Sequence, residues 1–382
     1  MRIGIFGGSF DPVHTEHIRL AQEAVTCLAL DTLFIMPAHT PPHKKGKLLS
    51  SDTDRLRLCE LAFANVKNTQ ISDYEMQKGG TSYTFETCEY FRSLYKDAEI
   101  FWLVGTDMLR DFPTWKNPER ILQSVTLAVC ARNEKEGWLA LEQAAFETRF
   151  HKKFAVVSYN GADVSSTKIR VLAGAGMDIT TYVGEKCAAY ICEKGLYAIP
   201  NADKALALEK ESRREHSIRV AEAAAKRAPL LGVSERNAIA AALFHDCAKN
   251  LEADSPLLDG FTPPTAWGDV PPAVLHQFAG AYVAENVLGV TDTDILNAIR
   301  YHTSARENMS ALEKLVFLAD MIEDGRSYEG VEALRALFYE PIKGEDGLDK
   351  CLRKALYETV LHLQKKGGRI YPLTQKAYEY YR

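Results

Sequence analysis

The chain has 382 residues, a length that favours two domains over one. Its 46% hydrophobic and 25% charged residues are typical of a globular protein, and its net charge of -5 lacks the basic excess that nucleic-acid binding requires. The eight cysteines form no CxxC pair, and every apolar run is far shorter than the roughly 20 residues of a membrane span. We therefore expect a cytoplasmic protein that binds neither nucleic acid nor a membrane.

The first half of the chain alternates strand and helix patterns. Short apolar runs predict strands at residues 2–6, 32–36, 99–104, 126–130 and 154–157. Amphipathic stretches predict helices at residues 18–29, 52–63 and 83–95. Such alternation is typical of a doubly wound α/β fold, in which helices cover a parallel sheet and ligands bind beyond the carboxyl ends of its strands.

The pattern changes near residue 198, where a short polar segment predicts a linker at residues 198–204. Beyond it the strand-like alternation disappears. The sequence there predicts helices at residues 205–227, 234–249, 272–288, 292–302, 310–323, 329–339 and 346–366. We therefore predict an α/β domain at residues 1–197 and an all-α helical bundle at residues 205–382.

A glycine-rich turn follows the first predicted strand and leads into the first predicted helix. Its notable residues are Gly7, Gly8, Ser9, Phe10, His14 and His17. The glycines let the backbone approach a phosphate, and the helix start adds N–H groups and a positive dipole end. The two histidines lie three residues apart, so they share a face and can donate hydrogen bonds to a phosphoryl group in transfer. No Gly-Lys-Ser/Thr follows, so the turn is not a Walker A loop.

A second segment combines hydroxyl groups with cations at another predicted helix start. Ser165, Ser166 and Thr167 are followed by Lys168 and Arg170. Helix capping alone would account for the hydroxyl groups. The added cations favour a clamp for a polyphosphate. The two motifs lie at opposite ends of one α/β domain, as expected for a site assembled at the carboxyl edge of the sheet.

Together these motifs resemble the nicotinate-nucleotide adenylyltransferase branch of the HxGH nucleotidyltransferases. The resemblance also rests on the segments Pro41–Lys44, Thr81–Thr84, Gly105–Leu109 and Phe112–Lys116. It implies a Rossmann-like domain that transfers AMP from ATP to nicotinate mononucleotide and releases pyrophosphate, with Mg²⁺ on the phosphates. Glu16 stands where that family has a small glycine, which adds negative charge near the predicted phosphate site.

The resemblance also implies roles for individual residues. His14, His17, Lys44 and Arg170 would handle the triphosphate as catalytic residues. Gly105 and Asp107 would hold the adenosine ribose, and Tyr83, Thr84 and Trp115 would contact the nicotinate. The remaining ATP contacts would come from the turn Gly7–Phe10 and from Arg132, Ser166 and Thr167.

Six residues of the predicted helical half have the chemistry of a metal site: His216, His245, Asp246, His276, His302 and Asp320. Imidazole and carboxylate groups suit Fe²⁺, Mn²⁺ or Zn²⁺, and a helical bundle can bring them inward from separate helices. A single histidine in an apolar helix is usually part of the core. Asp246, however, is costly to bury in apolar sequence without a cation, so the set as a whole predicts a metal centre.

The segments around these residues resemble the HD hydrolases that split diadenosine tetraphosphate into two ADP. They are His216–Ala221, Leu243–Lys249, Leu275–Ala281, Tyr301–Thr303 and Leu318–Glu323. The resemblance implies that His216, His245, Asp246 and Asp320 bind one metal, preferably iron, and that His276 and His302 complete the site or bind a second metal. It makes Asp246 and Lys249 catalytic residues, with Lys249 and Arg326 as phosphate contacts. Gln277 replaces a glycine common in that family.

Two alternatives stay open at this level. The first half could be another adenylyl- or cytidylyltransferase, although Lys44 and the segment Gly105–Asp107 argue against it. The second half could be a nucleotide-binding regulatory module without turnover, although the intact His245, Asp246 and Asp320 argue against that. The oligomeric state is also open, with a homo-oligomer as one alternative.

Overall fold

The computed structural model describes residues 1–41, 49–132 and 136–382. These residues form two units, one of Met1–Ile169 with Ile179–Leu196 and one of Arg170–Asp178 with Tyr197–Arg382. None of the described helices is both long and apolar enough to cross a membrane.

The first unit contains a sheet that, within the described residues, has six parallel strands. They are β1 (Arg2–Gly8), β2 (Thr32–Pro37), β3 (Thr69–Ile71), β4 (Glu99–Gly105), β5 (Thr126–Arg132) and β6 (Ala155–Tyr159). Their spatial order is β3-β2-β1-β4-β5-β6, and every neighbouring pair is parallel. The order reverses between β1 and β4, where doubly wound sheets open a crevice for ligands. The predicted Rossmann-like fold is confirmed.

Helices cover both faces of this sheet. Consecutive residues of β2 and β5 are buried, as in parallel sheets that are packed on both sides. The helices between and after the strands are α1 (Thr15–Cys27), α2 (Asp52–Phe63), α3 (Tyr74–Lys78), α4 (Thr84–Leu94), α5 (Thr106–Asp111), α6 (Pro118–Ser124), α7 (Glu136–Phe150), α8 (Ser166–Gly174), α9 (Thr180–Val183) and α10 (Glu185–Glu193).

The described part of the second unit is helical, as predicted. Its helices are α11 (Ala202–Ala207), α12 (Glu211–Arg227), α13 (Glu235–Phe244), α14 (Pro272–Asn286), α15 (Thr293–Tyr301), α16 (Ala311–Ile322), α17 (Val331–Phe338), α18 (Asp349–Lys365) and α19 (Pro372–Tyr381). One continuous core of small and branched apolar residues joins α11 to α19. Alanines dominate it in α12 and α13, which lets these helices pack closely.

Two predicted helices of this unit are too long. The helix predicted at residues 205–227 is interrupted between α11 and α12, and the one predicted at residues 234–249 ends with α13 at Phe244. His245 and Asp246 therefore lie in the turn after α13 and not inside a helix. This turn is fixed locally, because the His245 Nδ1 atom lies 2.6 Å from the Ala242 carbonyl oxygen.

Candidate active sites

The first candidate site lies at the carboxyl ends of β1 and β4. β1 ends at Gly8 and β4 at Gly105, the two strands that flank the reversal in strand order. A Cβ atom on Gly105 would lie 2.5 Å from the Asp107 Oδ1 atom, so the Asp107 side chain folds back over this glycine. A Cβ atom on Gly7 would lie 2.8 Å from the Trp102 ring. The close approach of the rigid Trp102 ring therefore requires glycine at position 7.

His14 and His17 form a stacked pair at the start of α1. Their ring centroids are 3.6 Å apart, and the His14 backbone N–H donates to the His17 Nδ1 atom at 3.1 Å. That bond fixes the ring proton of neutral His17 on Nε2, where it can be donated to a ligand. Burial, together with the positive charge of Arg132, lowers the pKa of His14 to about 4, so this ring is neutral at pH 7.

The second predicted motif lies against the first. The Ser166 hydroxyl, in the first residue of α8, donates to the Pro12 carbonyl oxygen at 2.9 Å. The Ser165 hydroxyl accepts from the Lys168 backbone N–H at 3.2 Å and so caps the helix start. The structure thus brings the glycine-rich turn and the hydroxyl-rich segment together, although they are distant in sequence.

Three other residues predicted to contact the triphosphate or ATP are not joined to the glycine-rich turn by any hydrogen bond described above. Lys44 lies outside the described residues. The Arg170 Nε atom lies 2.5 Å from the Glu235 Oε1 atom within the second unit. Arg132 is exposed and donates to the Ala162 carbonyl oxygen at 2.8 Å. The roles of these residues in ATP binding stay predictions.

Glu16, which replaces the glycine of the motif, is buried beside the loop that follows β6. Its Oε1 atom lies 3.7 Å from the Arg19 Nη1 atom. If Gly161 carried a Cβ atom, that atom would lie 2.6 Å from the Glu16 Oε2 atom and 2.6 Å from the Arg132 Cδ atom. The carboxylate is therefore packed against Gly161 and has a cation nearby to offset its charge.

The residues predicted for the nicotinate side form an aromatic cluster. Tyr83 and Thr84 begin α4, and Trp115 packs on Phe112 with ring centroids 5.4 Å apart. The Lys116 Nζ atom lies 3.9 Å from the centre of the Tyr83 ring, a cation–π contact that draws the two segments together.

Arg55 of α2 is a positioning residue that the sequence analysis missed. Its side chain is fully buried, and it donates to the Ser9 carbonyl oxygen at 2.9 Å and to the Ala38 carbonyl oxygen at 2.6 Å. It also donates to the Ser50 carbonyl oxygen at 3.1 Å and pairs with Asp52. One guanidinium thus holds the glycine-rich turn to the loop after β2. No local sequence signal indicated these contacts.

We expect Arg55→Lys to impair adenylyl transfer and spare hydrolysis in the other half. An ammonium cannot replace five planar donors, so the turn at Ser9 loses its fixed position. Misplacement by about 1 Å costs roughly 100-fold in rate, and we expect a loss of at least about 10-fold in kcat/KM for ATP. The matched control is Arg57→Lys on the same helix, where a half-exposed arginine pairs with Glu60. Equal activities of the two variants would contradict the positioning role.

The second candidate site gathers the six predicted metal residues of the helical unit. His216 lies on α12, His245 and Asp246 follow α13, His276 lies on α14, His302 follows α15, and Asp320 lies on α16. Among the described residues, three overlapping groups of them could hold a metal ion: His216 with His245 and Asp246, His245 with His302 and Asp320, and Asp246 with His276 and His302. Ligand atoms in each group lie within 4.8 Å of one another.

Asp246 is at the centre of this cluster. Its Oδ1 atom lies 3.3 Å from the His276 Nε2 atom and 3.4 Å from the His302 Nε2 atom, and its Oδ2 atom lies 3.5 Å from the His245 Nε2 atom. Burial raises the pKa of Asp246, but the facing histidines outweigh burial and hold it well below its usual range. Burial and the nearby His302 lower the pKa of His276 to about 2, so His276 is a neutral imidazole that can act as a ligand.

Hydrogen bonds orient the histidine rings so that Nε2 faces the cluster. The His245 and His302 Nδ1 atoms lie 2.6 and 2.8 Å from carbonyl oxygens of the preceding turns. The His216 Nδ1 atom lies 3.1 Å from the Glu323 Oε1 atom, while its Nε2 atom lies 2.9 Å from the Asp320 Oδ1 atom. Such outer partners fix the tautomer of a metal-binding histidine. Glu323 was not predicted as a site residue; it directly follows α16, and its contact with His216 joins residues far apart in sequence.

Cations border the cluster. Arg213 donates to the Asp246 Oδ2 atom at 3.0 Å, and Arg326 pairs with Asp320. The Lys249 Nζ atom lies 2.9 Å from the His276 Nε2 atom. Lys249 and Arg326 were predicted to contact phosphates, and both lie within reach of a ligand at the cluster. Arg213 was missed, because one arginine in a charged helix start looks like a solvated side chain.

The cluster fits a divalent cation. The His216 Nε2, His245 Nε2 and Asp246 Oδ1 atoms are buried and face one another within the cluster. Buried nitrogen and oxygen atoms gathered this closely are positioned to bind one shared cation. Imidazoles with two carboxylates are the donor set that borderline divalent metals prefer.

Known proteins match both halves. Residues 5–172 match the cytidylyltransferase-like family and residues 213–325 match the HD domain. A probable nicotinate-nucleotide adenylyltransferase of Clostridium tetani is 34% identical over 194 residues, which cover 50% of this chain and 97% of that protein. The chain belongs to the nicotinate-nucleotide adenylyltransferase family. It joins this adenylyltransferase part to an HD hydrolase domain, as the sequence predicted.

The two-part arrangement has a precedent over most of the chain. A probable nicotinate-nucleotide adenylyltransferase/Ap4A hydrolase of Mycoplasma genitalium is 28% identical over 329 residues, 86% of this chain and 89% of that protein. A solved structure from Clostridium acetobutylicum, described as a predicted HD superfamily hydrolase involved in NAD metabolism, is 32% identical, with a TM-score of 0.41, and covers 47% of this chain and 95% of that chain. The HD domain implies a divalent metal, in agreement with the histidine–aspartate cluster.

Proposed function

We propose that residues 1–197 transfer AMP from ATP to nicotinate mononucleotide and that residues 205–382 hydrolyse diadenosine tetraphosphate to two ADP. For the first activity, the main support is the contact of Ser166 with Pro12, which joins the hydroxyl-rich segment to the turn that carries His14 and His17. The position of this turn at the reversal of strand order adds to it.

The first reaction needs positioning and charge neutralisation more than a nucleophilic side chain. A phosphate oxygen of nicotinate mononucleotide attacks the α-phosphorus of ATP, the bond to the β-phosphate oxygen breaks, and pyrophosphate leaves with Mg²⁺. The start of α1 presents backbone N–H groups to the negative charge. His17 donates from Nε2, because its Nδ1 atom already accepts the His14 N–H.

For the second activity, the main support is the convergence of Asp246 with three imidazoles, those of His276 on α14 and of His245 and His302 in the turns after α13 and α15. A divalent metal at this cluster, Fe²⁺ in our proposal with Mn²⁺ or Zn²⁺ as alternatives, would supply a hydroxide at neutral pH and neutralise phosphate charge. The residues His216, His245, Asp246 and Asp320 would hold it, and His276 and His302 would complete the site.

The surrounding cations complete the proposed mechanism of hydrolysis. Water adds to one central phosphorus, the bridging P–O bond breaks, and each half leaves as ADP. Lys249 and Arg326 lie beside the ligand cluster and can neutralise the charge that develops on the leaving ADP. Arg213 bonds Asp246 and orients it.

Product analysis with the full chain tests both activities. With Mg²⁺, ATP and nicotinate mononucleotide we expect nicotinate adenine dinucleotide and pyrophosphate, and with a transition metal and diadenosine tetraphosphate we expect only ADP. Phosphopantetheine and glycerol phosphate are the controls for the related transferases, and ATP plus AMP as products would indicate asymmetric cleavage. Stoichiometric binding of diadenosine tetraphosphate without turnover would instead support a regulatory module.

A further inference from the structure

The turn that carries His302 has an unusual means of support. His302 directly follows α15, and its Nε2 atom faces the Asp246 Oδ1 atom. The next two residues leave the helix, and Ala305 has a φ of 57°, in the left-handed region. The Ala305 N–H donates to the Tyr301 carbonyl oxygen of α15, whereas the N–H groups of Thr303 and Ser304 donate to a side chain from another helix.

That side chain is Gln277 of α14. Its Oε1 atom accepts from the backbone N–H groups of Thr303 and Ser304, both at 3.0 Å. Its Nε2 atom donates to the Ser304 hydroxyl at 2.8 Å, and this hydroxyl donates to the Ala305 carbonyl oxygen at 3.0 Å. Gln277 and Ser304 are both buried, so the amide and the turn satisfy one another away from water.

The same contacts set the spacing of two ligand histidines. Gln277 follows His276 in α14, and the Thr303 hydroxyl lies 3.1 Å from the His276 Nε2 atom. The His276 and His302 Nε2 atoms are 3.1 Å apart, and both face Asp246. Fixing the turn at residues 303–304 therefore fixes His302 relative to His276.

We propose that Gln277 is a positioning residue of the metal centre, which holds the turn after α15 so that the His302 Nε2 atom faces the metal. Gln277 itself contacts neither metal nor substrate. The inference rests on the proposed metal-dependent hydrolysis, because it assigns His302 to that centre. Buried, fully bonded polar side chains around a metal site fix ligand geometry, and their loss typically weakens metal binding about 10- to 100-fold.

The test compares three variants of the full chain with the wild type. In Gln277→Met the new side chain has a volume similar to that of glutamine but no amide group. In Gln277→Asn the amide is kept, but the shorter side chain cannot reach the turn at residues 303–304. Gln364→Met is the matched control, because it makes the same change at an exposed glutamine of α18. The readouts are the dissociation constant of Co²⁺ in competition with a chelator, the visible spectrum of bound Co²⁺, and kcat and KM for diadenosine tetraphosphate. The far-ultraviolet circular dichroism spectrum and the thermal unfolding transition of each metal-free variant report whether its helical unit is folded.

We expect Gln277→Met and Gln277→Asn to raise the Co²⁺ dissociation constant about 10- to 100-fold, with an altered spectrum and a lower kcat at little changed KM. Gln364→Met is expected to stay within about 3-fold of the wild type in the same measurements, because exposed substitutions away from a site have small effects. A wild-type spectrum and dissociation constant in both Gln277 variants would overturn the inference and leave Gln277 a packing residue. Failure of the wild type itself to bind metal would instead overturn the proposed function.

Discussion

Asp246→Ala is expected to abolish hydrolysis of diadenosine tetraphosphate and to leave adenylyl transfer unchanged. Asp246 contacts three of the histidines and supplies negative charge that neutral imidazoles lack. Loss of an outer partner already costs about 10- to 100-fold in metal sites, so loss of a central ligand should leave less than about 1% of the activity. The measurements are metal content by mass spectrometry and the rates of both reactions.

Two further variants make this result specific. Asp246→Asn keeps the shape of the side chain and removes its charge, so it should lose metal in the same way. Asp254→Ala removes an exposed carboxylate a few residues further along the chain and should retain both activities. Full metal content with unimpaired hydrolysis in Asp246→Ala would rule out the assigned centre.

His17→Ala is expected to cost about 2–4 kcal/mol of transition-state stabilisation in adenylyl transfer, a loss of about 30- to 1,000-fold in kcat/KM. The variant removes the Nε2 donor from the phosphates. It also removes the Nδ1 acceptor of the His14 backbone N–H, so part of any effect could come from the start of α1.

His17→Asn separates these two contributions. An asparagine oxygen can take the place of Nδ1 and accept the His14 N–H, but no group of asparagine reaches the position of Nε2. We expect His17→Asn to recover the thermal stability of the wild type and to stay as inactive as His17→Ala. Recovery of near wild-type kcat/KM in His17→Asn would mean that His17 serves the helix start and not the phosphates.

The sequence predicted the architecture well wherever the pattern was strong. Apolar runs of four to six residues located five of the described strands, because strands packed between helices, such as β2 and β5, need such runs. The strand β3 was missed, because Thr69-Gln70-Ile71 is too short and polar to be distinguished from a loop. The helix prediction overran Phe244, because the turn at His245 and Asp246 is stabilised by a local bond that periodicity does not encode.

The sequence predicted which residue types form the candidate sites, but it predicted little of how those residues are arranged in space. Histidines and aspartates are rare enough that their spacing indicated the metal cluster, which the structure then brought together. Arg55 and Gln277 were not predicted as positioning residues, because the groups they bond are backbone atoms distant in the chain. The ion pair of Arg170 with Glu235 joins residues far apart in sequence, and only tertiary structure could reveal it.

The most direct test of two independent active sites on one chain is a chelator titration that follows both reactions in a single preparation. The chelator should prefer transition metals, with Mg²⁺ kept in excess. We predict that hydrolysis of diadenosine tetraphosphate falls in proportion to the metal removed and returns when Fe²⁺ or Mn²⁺ is added, while synthesis of nicotinate adenine dinucleotide stays constant. Hydrolysis that persists in metal-free protein, or adenylyl transfer that falls in parallel with it, would contradict this account.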